Sequence, residues 1–319
     1  MGSEYEFSAA FLAELKRAIV DRGIVVLDDD SYVPIAKVPS CFDSLLGKSL
    51  PSRPLAVAVD VYGTLLASAV GDIGPVADWN GTIEPGNEPD GFKGTGFPHD
   101  MAERLRQLVV EDHAAARAKG IRWPEVDSPH VFARALGLDI ENGARACVAW
   151  ECAMNPCSVM PGAAHFLHCC VDHGVPLGIV SNAQFYTPLF VEAAFNADLY
   201  AGQNTQAAKA GKEPSENLGF DPELTLWSFQ TGRAKPDDWM FGELVRRLAL
   251  RGVPADRILF VGNDALNDCA AAGEAGMMTA LFCGDARSFR PRLEDPTALA
   301  LPPTILIQSW DELWRIVCT

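Results

Sequence analysis

Six short runs rich in Val, Ile and Leu recur along this chain: Leu55–Val61, Pro176–Ser181, Leu224–Phe229, Arg257–Val261, Met278–Cys283 and Thr304–Gln308. They are near-continuous rather than alternating, which predicts strands buried on both faces of a parallel sheet. Helical patterns fall between most of them, as in Ala163–Asp172 and Trp239–Leu250. This alternation predicts right-handed βαβ units in a doubly wound α/β sheet. Such sheets place ligands beyond the carboxyl ends of their strands. The polar residues of this chain gather there.

The spacing between the first two runs is exceptional. A Gly/Pro/Asp-rich stretch, Gly71–Pro98, reads as loop, and from Asp100 the pattern turns helical, breaks at Trp123-Pro124 and resumes to about Trp150. These features predict a mainly helical cap over residues 68–159, inserted after the first strand of a Rossmann-like core formed by 54–67 and 160–319. Residues 1–53 form an N-terminal extension with one amphipathic helix, Phe7–Arg22, and a short apolar segment, Gly23–Leu27. Gly202–Asn217 carries almost no large apolar residue and reads as a mobile surface loop.

Charge narrows the function classes. The net charge of −16 comes with no basic run, so nucleic acid and anionic membranes are not expected partners. An anionic substrate then needs a locally positive site. Hydrophobic residues make up 48% of the chain, enough for a sizeable core. The nine cysteines include no C-x-x-C pair, which fits reduced thiols in a cytoplasmic protein. No signal-peptide pattern opens the chain and no apolar run approaches a membrane span.

Four segments carry the candidate chemistry. The first run ends Val59-Asp60-Val61-Tyr62-Gly63-Thr64, and the second ends Ser181-Asn182. Gly232-Arg233-Ala234-Lys235-Pro236-Asp237 precedes a helix, and the fourth run leads into Gly262-Asn263-Asp264-Ala265-Leu266-Asn267-Asp268. A carboxylate such as Asp60 can attack phosphorus or carbon to give an aspartyl intermediate that water hydrolyses. Gly63 permits a tight turn beside it, and Thr64 can hydrogen-bond and orient the carboxylate. Ser181 and Asn182 offer neutral donors to a substrate oxygen, and Lys235 supplies positive charge. Asp60, Asp264 and Asp268 offer hard oxygen ligands suited to Mg²⁺; helix capping is the alternative use of the last two.

In order and position these segments resemble the four motifs of the haloacid dehalogenase superfamily, over roughly Leu55 to Gly284, with Pro161-Gly162-Ala163 opening the helix before the second motif. The resemblance implies that Asp60, the Tyr62 main-chain carbonyl and Asp264 hold Mg²⁺, with Asp268 acting through a water or by pairing with Lys235. It implies a hydrolase acting on a small phosphorylated metabolite. Tyr62 departs from the phosphatase pattern, which has a second Asp there to protonate the leaving group. The D-x-Y-G-T form is that of the 2-haloacid dehalogenases, whose halide leaves without a proton and which use no metal. They, however, have Ser/Asn in place of the first acid of the fourth motif, and an Arg cradling halide that has no clear counterpart here; Arg104 and Arg106 read as solvated. Three readings follow: a Mg²⁺-dependent phosphatase first, a metal-independent dehalogenase second, and a low-activity binding or scaffold protein third.

Other candidates carry less. Glu84, His99 and Asp100 are candidates to replace the missing general acid. Lys93 could form a Schiff base but reads as a solvated loop lysine. His165, Cys169 and His173 share a helical face that reads as structural rather than zinc-binding. Trp123-Pro124-Glu125 reads as a helix junction.

Overall fold

The computed structural model describes residues 6–25, 33, 35, 37–72, 97–98, 100–201 and 218–318. Glu84, Lys93, His99, nearly all of the Gly71–Pro98 stretch and the Gly202–Asn217 loop lie outside them.

The expected strands form one parallel sheet. In chain order its members are β1 (Ala56–Val59), β4 (Leu177–Ser181), β5 (Phe220–Trp227), β6 (Ile258–Gly262), β7 (Met278–Phe282) and β8 (Ile305–Ile307). They lie side by side in the order β5-β4-β1-β6-β7-β8. Central β1 pairs in parallel with β4, through Val57↔Leu177, and with β6, through Val59↔Val261. The chain therefore winds outward in both directions from β1, and the crevice lies where those directions part. The fold is a Rossmann-like doubly wound α/β sheet.

Side-chain alternation splits the core into two layers. Val57, Val59, Leu259 and Val261 pack into a cluster with Phe166 and Trp310. Ala56, Ala58, Ile258 and Phe260 face Met240, Phe241, Leu244 and Leu248 of the helix Asp238–Ala249. The helix Trp310–Val317, led by buried Trp310, closes the first layer against Phe166 and Phe282.

Two strands too short for periodicity to reveal form a separate antiparallel ribbon, β2 (Leu66–Ser68) with β3 (Cys157–Val159). The chain leaves the core through β2 and returns through β3. Among the described residues, three helices run between them: α2 (Met101–Ala118), α3 (Ser128–Leu136) and α4 (Ile140–Met154). Asp127 and Asp139 cap the starts of α3 and α4, accepting from His130 N and Asn142 N.

The fifth strand begins at Phe220, earlier than the apolar pattern predicts, and ends at Trp227; Ser228–Thr231 forms one helical turn that ends at Gly232. Its first residues are exposed in part, so apolar content alone does not mark them. The N-terminal helix α1 (Ala9–Arg22) sets Phe11, Leu15 and Ile19 into the same cluster as residues from α2, α4 and the sheet. All nine cysteines are free thiols. No described helix is long and apolar enough to cross a membrane.

Candidate active site

The four polar segments converge at the carboxyl end of the sheet. Asp60 follows β1 directly, its N–H donating to Val261 O. The chain then reverses at Gly63, where φ is +76° and a Cβ would lie 2.4 Å from Ser288 Cβ and 2.6 Å from Asn263 Nδ2. Any larger residue would be strained and would collide there. Gly262 serves a different purpose: its missing Cβ leaves room for the Asp268 carboxyl, which would stand 2.4 Å away.

Lys235 is the hub. Its ammonium donates to Asp60 Oδ1 (2.7 Å) and Asp268 Oδ1 (2.6 Å), with Val180 O at 3.3 Å. The lysine side chain is 3% exposed, so both carboxylates meet it with little competition from water. Burial alone would lower the ammonium pKa, but Asp268 and Asp60 outweigh it and hold the group above the ordinary lysine range. Burial also pushes the Asp268 carboxyl up, with Lys235 pulling it back and Asp60 and Asp264 adding repulsion. No described group donates to Asp60 Oδ2. An oxygen in that setting can attack an electrophile along the open side of the crevice.

Several predicted donors have other uses. Asn182 accepts from Lys235 N (2.6 Å) and donates to Lys235 O (3.3 Å), so its amide fixes the lysine main chain. The Ser181 hydroxyl donates to Asn182 O (3.1 Å). Thr64 is fully buried, and its hydroxyl donates to Asn263 Oδ1 (3.2 Å) rather than to the Asp60 carboxylate, because the reversal at Gly63 swings it towards the end of β6. Tyr62 is buried too, with its hydroxyl 3.5 Å from Thr187 Oγ1. Burial, with Glu151 nearby, raises that phenol well above its ordinary pKa.

The donor set does not fit a divalent cation as arranged. Asp264 Oδ1 accepts from Leu266 N (2.9 Å) and Asn267 N (3.1 Å), and both its oxygens accept from the Arg292 guanidinium at 2.6–3.1 Å. Asp268 Oδ2 accepts from Asp264 N (2.9 Å) and its Oδ1 is taken by Lys235. Mg²⁺ asks for roughly six oxygens in near-octahedral array, and the described residues contain no group of three acidic, His or Cys side chains placed to hold a metal. The His165–Cys169–His173 face is likewise bonded internally, through His165 Nε2 to Cys169 Sγ (3.6 Å) and His173 Nδ1 to Cys169 O (2.8 Å). Asp100 sits at the start of α2, paired with Arg104 (2.8 Å), and Arg106 pairs with Glu103 on the same exposed helix.

Sequence reasoning missed Glu125 and Arg292. The segment Trp123–Val126 of the insert docks on the loop leading to Lys235: Glu125 N donates to Gly232 O (3.1 Å) and Ala234 N to Trp123 O (2.8 Å). Glu125 Oε1 accepts from Gln184 Nε2 (3.0 Å) and Val126 N (2.7 Å). The residue stays partly accessible, yet the protein packed around it pushes its carboxyl up to about 7, against the opposing hydrogen bonds. A carboxyl at a helix junction gives no sequence signal of that kind. Arg292 lies far along the chain from Asp264, outside every motif.

The site thus pairs a sheet-end aspartate with a buried lysine, in an open α/β sheet with an insert after the first strand. Residues 54–276 match the family model of the haloacid dehalogenase-like hydrolases, and the chain belongs to that family. No curated protein matches the chain in sequence. Among solved structures it is similar to a 2-haloacid dehalogenase from Pseudomonas syringae pv. Tomato, at 19% identity and a TM-score of 0.47, covering 82% of this chain and 96% of that one. It is similar also to a phosphatase of the same superfamily from Thermococcus onnurineus, at 18% identity and a TM-score of 0.45, with the same coverage of 82% and 96%.

Proposed function

We propose that Asp60 is the nucleophile of a hydrolase that forms and then hydrolyses an aspartyl ester, with a small 2-halo acid as substrate class. One observation carries this choice over the phosphatase reading. Tyr62 stands where a phosphatase would keep its proton donor, and its hydroxyl is buried against Thr187. A leaving group that departs as an anion suits such a site.

In the first step Asp60 Oδ2 attacks C2, the carbon–halogen bond breaks, and halide leaves with the electron pair. In the second, water adds to Cγ of the Asp60 ester. Its proton passes to a carboxylate, a role this reading gives to Asp268, and the 2-hydroxy acid departs with a proton. Water, halo acid and enzyme thus yield hydroxy acid, halide and one proton, and Asp60 regains its carboxylate. Lys235 holds both carboxylates in place through its ammonium.

The test is halide release from a panel of 2-halo acids, with and without chelator, followed by single turnover in ¹⁸O-water. The label should enter Asp60 and be absent from the first product formed. Label in that first product would sink the ester intermediate.

A second reading has its own support: the Asp264 and Asp268 carboxylates after β6 follow the phosphatase form of the fourth motif. It favours small phosphate esters with good leaving groups, such as aryl or acyl phosphates. The same panel extended to phosphate esters, with and without Mg²⁺, separates the two by which product accumulates.

A further inference from the structure

We infer that Arg292 is a built-in cation at the fourth motif, clamping Asp264 with its guanidinium where the motif would otherwise offer that carboxylate to a divalent ion. The inference deepens the metal-independent reading above and rests on it.

The geometry is that of a deliberate fork. Arg292 Nε lies 3.1 Å from each Asp264 oxygen and Nη2 lies 2.6 Å from Oδ2. Paired donors from one planar group fix orientation as well as charge. The Asp264 side chain is 10% exposed, which shields the pair from solvent on the carboxylate side.

Its backbone gives an independent sign. Arg292 has φ of +49°, and no other described non-glycine residue has a positive φ. A bulky side chain in that region costs energy and persists where its surroundings enforce it. Those surroundings are the loop after β7, pinned to both the first and the fourth motif. Arg290 N donates to Asn263 O (2.9 Å), Ala265 N to Arg290 O (2.9 Å), and Ser288 Oγ to Gly63 O (3.3 Å). The loop thus delivers Arg292 to the place where Asp264 turns outward.

Fixed cations already offset all but one of the carboxylate charges without an ion. Three carboxylates (Asp60, Asp264 and Asp268) face two fixed cations, Lys235 and Arg292. A divalent ion would have to displace the guanidinium from Asp264 and meet its repulsion nearby.

The experiment is a thermal titration of the full chain and of Arg292→Gln with MgCl₂, against a control of equal ionic strength. A ligand that binds only the native state raises the melting temperature. The full chain should not respond at about 10 mM Mg²⁺. Arg292→Gln, with Asp264 released, should start lower and gain about 3 °C or more over the same range. A rise in the unsubstituted protein overturns the inference, and so does a variant that stays unresponsive. Should the variant not fold, titrating the unsubstituted protein by calorimetry decides alone: Mg²⁺ binding at millimolar affinity refutes the clamp, and none upholds it. Both readouts are independent of which bond the enzyme cleaves, so failure on halo acids leaves them interpretable.

Discussion

The indole Nε1 of Trp310, near the C-terminus, donates to the main-chain carbonyl of Thr64, 3.1 Å away in the first motif. The turn that presents Asp60 is therefore held from beneath by a helix that contributes nothing else to the crevice. Trp310→Phe keeps most of the aromatic packing and leaves the carbonyl without its donor. A loss of about 1–3 kcal/mol is expected, read as a lower urea midpoint with an unchanged slope. An unaltered midpoint would show that the turn does not depend on this bond.

Lys235→Met should be costly for a different reason. It leaves Asp60 and Asp268 buried with no counter-charge, and breaking one partner of such a set costs about 3–5 kcal/mol. Adding Asp268→Asn should recover part of that loss, since one of the two stranded charges disappears. Strict additivity of the two substitutions in urea denaturation would contradict the bridge.

Tyr62→Phe removes a hydroxyl that faces Thr187 rather than the crevice. Turnover should stay within about twofold of the unsubstituted enzyme. A fall of about 10²–10⁴, the usual worth of a general acid, would assign the proton to Tyr62 after all.

Glu125 makes a pH prediction. Burial raises its folded-state pKa from 4.5 to about 7. The native state then binds a proton more tightly than the unfolded chain, so this contribution is complete below about pH 4.5 and is lost as pH rises through about 7. Glu125→Gln cannot lose a proton and should show no such decline. The stability difference between the two proteins should shift in the glutamine variant's favour across that window. A difference that stays flat from pH 4.5 to 8 would show that Glu125 titrates as it does in the unfolded chain.

The sheet and its catalytic edge were legible because they obey local rules. A buried strand must be apolar throughout, which placed Asp60 at the carboxyl end of its strand, and the motif resemblance set Lys235 and Asp268 beside it. Thr64 bonds Asn263 rather than the Asp60 carboxylate expected of it, and Asn182 also bonds the Lys235 main chain. Which of several nearby acceptors a side chain takes depends on turn geometry that spacing does not encode. The β2–β3 ribbon escaped notice because three residues cannot display a period. Arg292 escaped because nothing near it in the chain hints at Asp264. Glu125 escaped because its raised pKa comes from burial, which overrides the hydrogen bonds of Ser228, Val126 and Gln184 and arises only once the insert docks.

The N-terminal helix α1 touches both parts of the molecule. Glu14 pairs with Arg145 on α4 of the insert (2.8 Å), and that guanidinium lies 4.6 Å from the Phe11 ring centroid. Lys16 pairs with Glu192 on the core helix Thr187–Ala201. With the β2–β3 ribbon and the docking of Trp123–Val126, this gives the insert three separate anchor points. An insert tied to the rest of the chain at three places cannot swing as one body while all three ties hold. Wide opening like a jaw would require at least one anchor to let go, so the molecule is framed like a truss.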